Sequence, residues 1–156
     1  FLDEGAALPR TAVDLYALAA GVKQSLQSAA ERCDVTLRLL GQSETVEGNE
    51  PLLREMLYNL CDNAIKYNVP GGSVTVNVWR SGAHPCLSVA DTGIGIPQAH
   101  QERIFERFYR VDKSHSKEVG GTGLGLSIVK HAVQYHGAHL ELKSAPGKGT
   151  AIAVTF

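Results

Sequence analysis

Two glycine clusters, D-T-G-I-G-I-P from residue 91 and G-G-T-G-L-G-L-S-I-V-K ending at residue 130, stand at the two ends of a long polar connection. Glycine crowds where the backbone must take a positive φ or approach another group closely. The first cluster follows Cys86, Leu87, Ser88, Val89 and Ala90, a run with strand character, and the second opens an apolar helical face. A helix with a glycine-rich first turn offers unpaired N–H groups and a positive dipole end to an anion. The spacing predicts a nucleotide pocket between the clusters. The connection, residues 98–120, is too long and too polar to read as packed structure, and it is predicted to be the lid.

A chain of 156 residues is long enough for one sizeable core and short for two. Hydrophobic residues make up 44% and charged residues 20%, the ordinary balance of a soluble globular domain. The net charge of −1 gives no electrostatic reason to expect nucleic acid or a membrane surface as partner. Cys33, Cys61 and Cys86 are odd in number, widely spaced and set among apolar residues. They are read as buried reduced thiols in a cytosolic protein, not as a disulfide or metal site. No apolar run has membrane-spanning length and no signal peptide pattern is present. The chain opens on Phe1 without a methionine, and residues 1–8 read as the remnant of an upstream helix or linker, with one domain over residues 9–156.

In order, the pattern predicts a short edge strand over residues 9–13, with Pro9 tolerated at its start. A helix follows over residues 14–33, where Leu15, Leu18, Ala19, Val22 and Leu26 recur near a 3.6-residue period. Residues 34–40 alternate with Val35, Leu37 and Leu39 inward, and residues 45–48 make a short strand or turn. Asn49 is a good N-cap for a helix reaching Tyr67. Residues 74–79 and 87–90 alternate as antiparallel strands around a turn at 81–85. Residues 124–135 form a helix closed by His136 and Gly137, and residues 139–144 and 150–156 pair around P-G-K-G. The fold class is α+β. About five main strands form a mixed, mainly antiparallel sheet, with three helices on one face of a two-layer sandwich.

The helix before Tyr67 has two stripes. Leu53, Leu57, Leu60, Cys61 and Ala64 are apolar; Glu55, Asn59, Asp62, Asn63 and Lys66 gather on nearly the opposite face. A polar stripe is most often a solvated face. Two amides and a lysine followed by an aromatic are an odd choice for one, since an amide oxygen suits Mg²⁺ and a lysine suits phosphate. Asp91 before Gly93 and Gly95 is a common turn start, and equally a carboxylate placed to accept the exocyclic N–H of adenine. Gly121, Gly123 and Gly125 match neither the Rossmann nor the P-loop spacing, and the H-R-D and D-F-G triplets of protein kinases are missing from the sequence. Phe105, Phe108 and Tyr109 read as an apolar cluster anchoring the lid. Arg107 and Arg110 suit phosphate or solvent equally. The six histidines show no metal-ligand spacing and are read as surface or capping residues.

Five blocks occur in one order: N-L-C-D-N-A-I-K-Y (59–67), D-T-G-I-G-I-P (91–97), F-E-R-F-Y-R (105–110), G-T-G-L-G-L (121–126) and G-K-G-T (147–150). The chain from about residue 9 onward thereby resembles the catalytic, ATP-binding domain of bacterial sensor histidine kinases, with their N, G1, F, G2 and G3 boxes. The resemblance implies the Bergerat fold of the GHKL superfamily. It implies that Asn63 ligates Mg²⁺ with Asn59 assisting, and that Lys66 and Tyr67 meet phosphate and ribose. Asp91 would bind the adenine amino group, with Gly93, Gly95 and Ile96 beside it and Thr150 nearby through water. Phe108, Arg110, Gly121, Thr122, Gly123, Leu124, Gly125 and Leu126 would complete the ATP site. The same likeness implies a separate dimerisation domain carrying the phosphoacceptor histidine and a response-regulator receiver domain as partners. The full-length kinase would be a homodimer anchored in the membrane with this domain, by itself a monomer, on the cytoplasmic side.

Two other readings remain open on the sequence. One is a module that senses ATP or ADP without transferring phosphate. The other is a GHKL ATPase of the mismatch-repair or gyrase type, against which stands Asn59, where those enzymes use glutamate.

Overall fold

The chain runs β1 (Thr11–Asp14), α1 (Leu15–Arg32), β2 (Thr36–Gly41), β3 (Thr45–Gly48), α2 (Glu50–Lys66), β4 (Ser73–Ser81), β5 (His84–Asp91), α3 (Gln98–Gln101), α4 (Gly125–Tyr135), β6 (His139–Ser144) and β7 (Thr150–Thr155). This is a computed structural model, and it describes residues 8–101, 103–105 and 125–156. Five strands form one sheet in the order β2-β4-β5-β7-β6. The β2–β4 pair is parallel and the other three are antiparallel, so the sheet is mixed as expected.

Alternation decides which face is covered. Val74, Val76 and Val78 of β4, Leu87 and Val89 of β5, and Ile152 and Val154 of β7 are all buried on the helix side. Against them lie Leu15, Val22 and Leu26 of α1, Leu53, Met56 and Leu57 of α2, and Val129 and Ala132 of α4. Each such side chain contributes about 1.5–3 kcal/mol by leaving water. One apolar layer between a sheet face and three longer helices is the predicted α+β sandwich. Among the described residues no helix is long and apolar enough to cross a membrane.

Several local expectations are corrected. β1 is not an edge of the main sheet; it pairs antiparallel with β3 in a separate two-stranded sheet. The β4–β5 turn is tighter than expected, only Gly82 and Ala83 between the strands, with Gly82 at φ +60°. Cys61 and Cys86 are buried, but Cys33 follows the last turn of α1 and is exposed. At the start of the described residues, Leu8 packs on the core and its carbonyl accepts the Tyr135 hydroxyl at 3.1 Å.

His136, read as a capping residue at the end of its helix, is half-buried and joins two helices. Its Nδ1 lies 2.8 Å from the Ala132 carbonyl and its Nε2 3.0 Å from the Asn49 N–H. A carbonyl can only accept and an N–H can only donate, so the imidazole is neutral with its proton on Nδ1. Asn49 is the N-cap of α2, accepting the Leu52 N–H at 3.0 Å. Burial lowers the His136 pKa, the Ala132 carbonyl opposes that, and nearby Arg10 lowers it further. The unfolded chain therefore holds its proton more tightly, and stability falls as pH drops below the ordinary histidine value near 6.5. In His136→Gln the amide serves both partners without titrating. Thermal melts across that pH range should show a flatter acid limb for the variant; equal slopes would assign the loss to other groups.

Candidate functional site

The site forms where the core layer ends. Asp91 closes β5, Thr150 opens β7 and Ser144 closes β6, and these three stand directly opposite one another across the sheet. They share the face of Val89, Ile152 and Leu142, so the row of core side chains turns polar at its last position, under the end of α2.

Asp91 is held firmly. Its Oδ1 accepts the Gly93 N–H at 2.8 Å and the Thr150 N–H at 3.2 Å. Among the described residues Oδ2 takes no hydrogen bond. Burial pushes the carboxyl pKa up, while the N–H groups of Gly93 and Thr150 pull it back. A half-buried carboxylate with one oxygen satisfied and the other open suits a ligand N–H.

The D-T-G-I-G-I-P segment is clamped from both sides. The Tyr67 carbonyl accepts the Ile94 N–H at 3.1 Å, and the Ile94 carbonyl accepts the Gly147 N–H at 2.7 Å. A Cβ on Gly93 would come 2.4 Å from the Tyr67 carbonyl oxygen, and one on Gly95 would come 1.9 Å from that of Ala145. Here the glycines serve close backbone approach. Ile96 is half-buried, with its N–H on Ser144 Oγ at 2.8 Å and its carbonyl taking Gln101 Nε2 at 2.9 Å.

On α2 the predicted amides behave alike. Asn59 Nδ2 donates to the Glu55 carbonyl at 2.7 Å, and Asn63 Nδ2 donates to the Asn59 carbonyl at 2.9 Å. Each carbonyl partner fixes the NH₂ group toward the helix and leaves the amide oxygen available to a hard cation. That donor chemistry fits Mg²⁺. Lys66 is paired with Asp62 at 3.0 Å, both partly exposed. Such an (i, i+4) pair is worth under about 1 kcal/mol, so exchange for a phosphate is cheap. Tyr67 caps α2, its N–H on the Asn63 carbonyl at 3.0 Å.

The structure thus brings Asp91, Gly93, Gly95, Ile96 and Thr150 together at one corner, with Tyr67 in backbone contact. Asn59, Asn63 and Lys66 share the preceding helix. Gly125 and Leu126 open α4, with Leu126 packed partly on the core. Phe108, Arg110, Gly121, Thr122, Gly123 and Leu124 lie outside the described residues. The predicted lid is regular where it starts: residues 98–101 are helical, Ile104 is buried and Phe105 packs on the core. Residues 106–120 lie outside the described residues.

Sequence reasoning missed four side chains that hold the corner. Asn68 donates to the Ser73 carbonyl at 3.0 Å, and its Oδ1 accepts the Thr92 hydroxyl at 3.1 Å. Ser144 and Gln101 grip Ile96. Position beside Asp91 or Tyr67 was a usable signal for Thr92 and Asn68; nothing in the local pattern marked Ser144 or Gln101. Among the described residues no group of three or more His, Cys, Asp or Glu is arranged to hold a metal.

Comparison with known proteins agrees with this geometry. The family described as histidine kinase-, DNA gyrase B-, and HSP90-like ATPase matches residues 48–156. The chain is 42% identical over 144 residues to sensor histidine kinase YkoH of Bacillus subtilis, covering 92% of this chain and 31% of that protein. It is 48% identical over 113 residues to the phosphate regulon sensor protein PhoR of Pseudomonas aeruginosa, covering 71% of this chain and 25% of PhoR. The chain therefore spans a third or less of these relatives. Among solved structures, the mycobacterial sensor histidine kinase MprB superposes with a TM-score of 0.83 at 29% identity, over 95% of this chain and 97% of that one. Full-length ShkA in complex with AMPPNP gives 0.82 at 27% identity, over 96% of this chain and 31% of ShkA. With the sheet, the Asp91 corner and the amide stripe in place, the match over residues 48–156 carries the assignment: the chain belongs to the histidine kinase-, DNA gyrase B-, and HSP90-like ATPase family, on its sensor histidine kinase branch.

Proposed function

We propose that this chain binds Mg-ATP between α2 and the ends of β5 and β7 and donates the γ-phosphoryl group to a histidine on a separate dimerisation domain. A response-regulator receiver domain would take the phosphoryl group onward, on the cytoplasmic side where ATP is held. The observation that carries this reading is Asp91: one carboxylate oxygen is fixed by two backbone N–H groups, and the other takes no hydrogen bond among the described residues, beside a glycine-lined corner. ShkA, similar over nearly the whole chain, was solved with AMPPNP, an ATP analogue, which supports the choice of nucleotide.

In this reading Asp91 accepts from the adenine amino group, with Thr150 beside it. Asn63, assisted by Asn59, holds Mg²⁺ through amide oxygens; the ion supplies charge neutralisation for the phosphates. Lys66 and Tyr67 attend phosphate and ribose. Phe108, Arg110, Gly121, Thr122, Gly123 and Leu124 belong to the lid and phosphate side, together with Gly125 and Leu126 in the first turn of α4. A neutral imidazole already carries the attacking lone pair, so no base is required of this domain. An N–P bond forms as the bond from the γ-phosphorus to the β–γ bridging oxygen breaks, and ADP leaves. Positioning and electrostatic stabilisation are the chain's contributions.

Radiolabelled ATP, with and without an added histidine-bearing dimerisation domain, tests the proposal. The expected product is on the added domain, acid-labile and base-stable. ATP binding with no transfer to any such domain would favour a nucleotide sensor; no ATP binding would overturn the reading. Asn63→Ala should fold normally, because the residue lies off the buried stripe, yet lose the Mg²⁺-dependent part of ATP affinity. Identical Mg²⁺ titrations of nucleotide binding in the two proteins would remove Asn63 from the metal site.

A further inference from the structure

The Ser144 hydroxyl has three neighbours and only one arrangement that serves them all. It lies 2.8 Å from the Ile96 N–H, 3.0 Å from the Gly149 carbonyl and 2.7 Å from Thr150 Oγ1. A serine hydroxyl has one proton and two lone pairs. The Ile96 N–H can only donate, so it occupies a lone pair. The Gly149 carbonyl can only accept, so it takes the proton. Toward Thr150 the serine is then left as an acceptor, and Thr150 must give its own proton to Ser144. With that proton committed, Thr150 turns only lone pairs toward a ligand. Asp91, ionised, offers only lone pairs as well.

We propose that Ser144 is a specificity-setting, positioning residue that orients the Thr150 hydroxyl and so makes the Asp91–Thr150 corner an acceptor-only reader of the purine 6-position. An amino group there, with two N–H donors, satisfies the corner directly or through one water. A 6-oxo group would set an acceptor against acceptors, and a buried polar atom facing no donor is costly. Gln101 supports the arrangement by donating to both the Ile96 carbonyl and the Ser144 carbonyl at 2.9 Å, which fixes the path of the segment whose N–H faces Ser144. The inference rests on the ATP-binding reading above and deepens it: the Asp91 carboxylate alone does not dictate what Thr150 presents.

The test is a ratio. Calorimetric Kd values for ATP and ITP, whose bases differ at the 6-position, are compared in the native chain, Ser144→Ala and Ser144→Thr. Losing Ser144 frees the Thr150 hydroxyl to donate to a 6-oxo group, so the ATP-over-ITP preference should fall about tenfold in Ser144→Ala, the scale of one hydrogen bond. Ser144→Thr keeps the hydroxyl and should keep the preference. If the alanine variant does not fold, Ser144→Cys retains the volume with a weak donor and acceptor and should shift the ratio the same way. A merely structural Ser144 would weaken ATP and ITP equally; an unchanged ratio overturns the inference while leaving ATP binding intact. A native chain that binds no ATP overturns the functional reading itself.

Discussion

Asp91→Ala should weaken ATP binding by one to two orders of magnitude while the domain stays folded. The lost interaction is a hydrogen bond from a base N–H to a partly buried carboxylate, about 1.5–3 kcal/mol, or roughly tenfold to a hundredfold in Kd. The native carboxylate sits at the open end of the sheet, so its removal opens no cavity in the apolar layer. Calorimetry returning native ATP affinity for the variant would take Asp91 out of the site. Stability should move the other way. Burial raises the Asp91 pKa in the folded state, so the folded chain binds this proton more tightly than the unfolded one. The favourable contribution is therefore present below the ordinary value of 3.8 and is lost as pH rises through the raised folded value. In the nucleotide-free domain, Asp91→Asn keeps an oxygen for the Gly93 and Thr150 N–H groups without the buried charge. It should be no less stable than native at neutral pH while failing to bind ATP, because its amide sets a donor against the base amino group. Loss of stability confined to neutral pH would reverse the assigned sign.

Gly149→Ala is expected to be among the most damaging small substitutions at the site, on a par with Gly95→Ala. Gly149 has φ +82°, and a Cβ there would come 2.0 Å from the Asp91 carbonyl oxygen and 3.1 Å from Thr92 Cα. Both neighbours are backbone, so nothing swings aside. The conformation alone costs about 1–2 kcal/mol for a residue other than glycine, and relieving the overlap must move the strand end that carries Asp91. Gly147 supplies the control. Its φ is +75° and nothing lies within 4 Å of a Cβ built on it, so Gly147→Ala bears the conformational cost alone. Denaturant unfolding of the pair should show the larger loss for Gly149→Ala, with ATP affinity lost beyond what Gly147→Ala loses. Equal losses in the two variants would mean that the Asp91 strand end yields freely.

Much of the corner was visible in the chain because its parts are local. Asp91 ends an alternating strand and meets two glycines, and Asn59, Asn63 and Lys66 fall on one helical stripe. The exceptions are polar residues whose partners lie far along the chain. Ser144 looks like any serine before a proline-glycine turn, yet its hydroxyl takes the N–H of a residue 48 positions earlier. His136 ends a helix like an ordinary capping residue, yet it reaches the N-cap of α2, 87 positions away. The start of the predicted lid is tied down for a related reason: the apolar Ile104 within a charged stretch finds a buried place that only the assembled core offers.

By itself the sequence determined the period of each long element, the apolar face it must bury, and the polar types set where that face ends. Valines at every second position of β4 and leucines at helical spacing on α2 have one way to leave water together, so the two-layer sandwich follows from local pattern and burial. Tertiary structure decided what local pattern does not encode. β1 joined β3 instead of the main sheet, and β2 ran parallel to β4. The same holds for the proton on Ser144, whose direction follows only when Ile96, Gly149 and Thr150 meet around it. A hydrogen bond is fixed by the complementary group it finds, and for these residues that group arrives from another part of the chain.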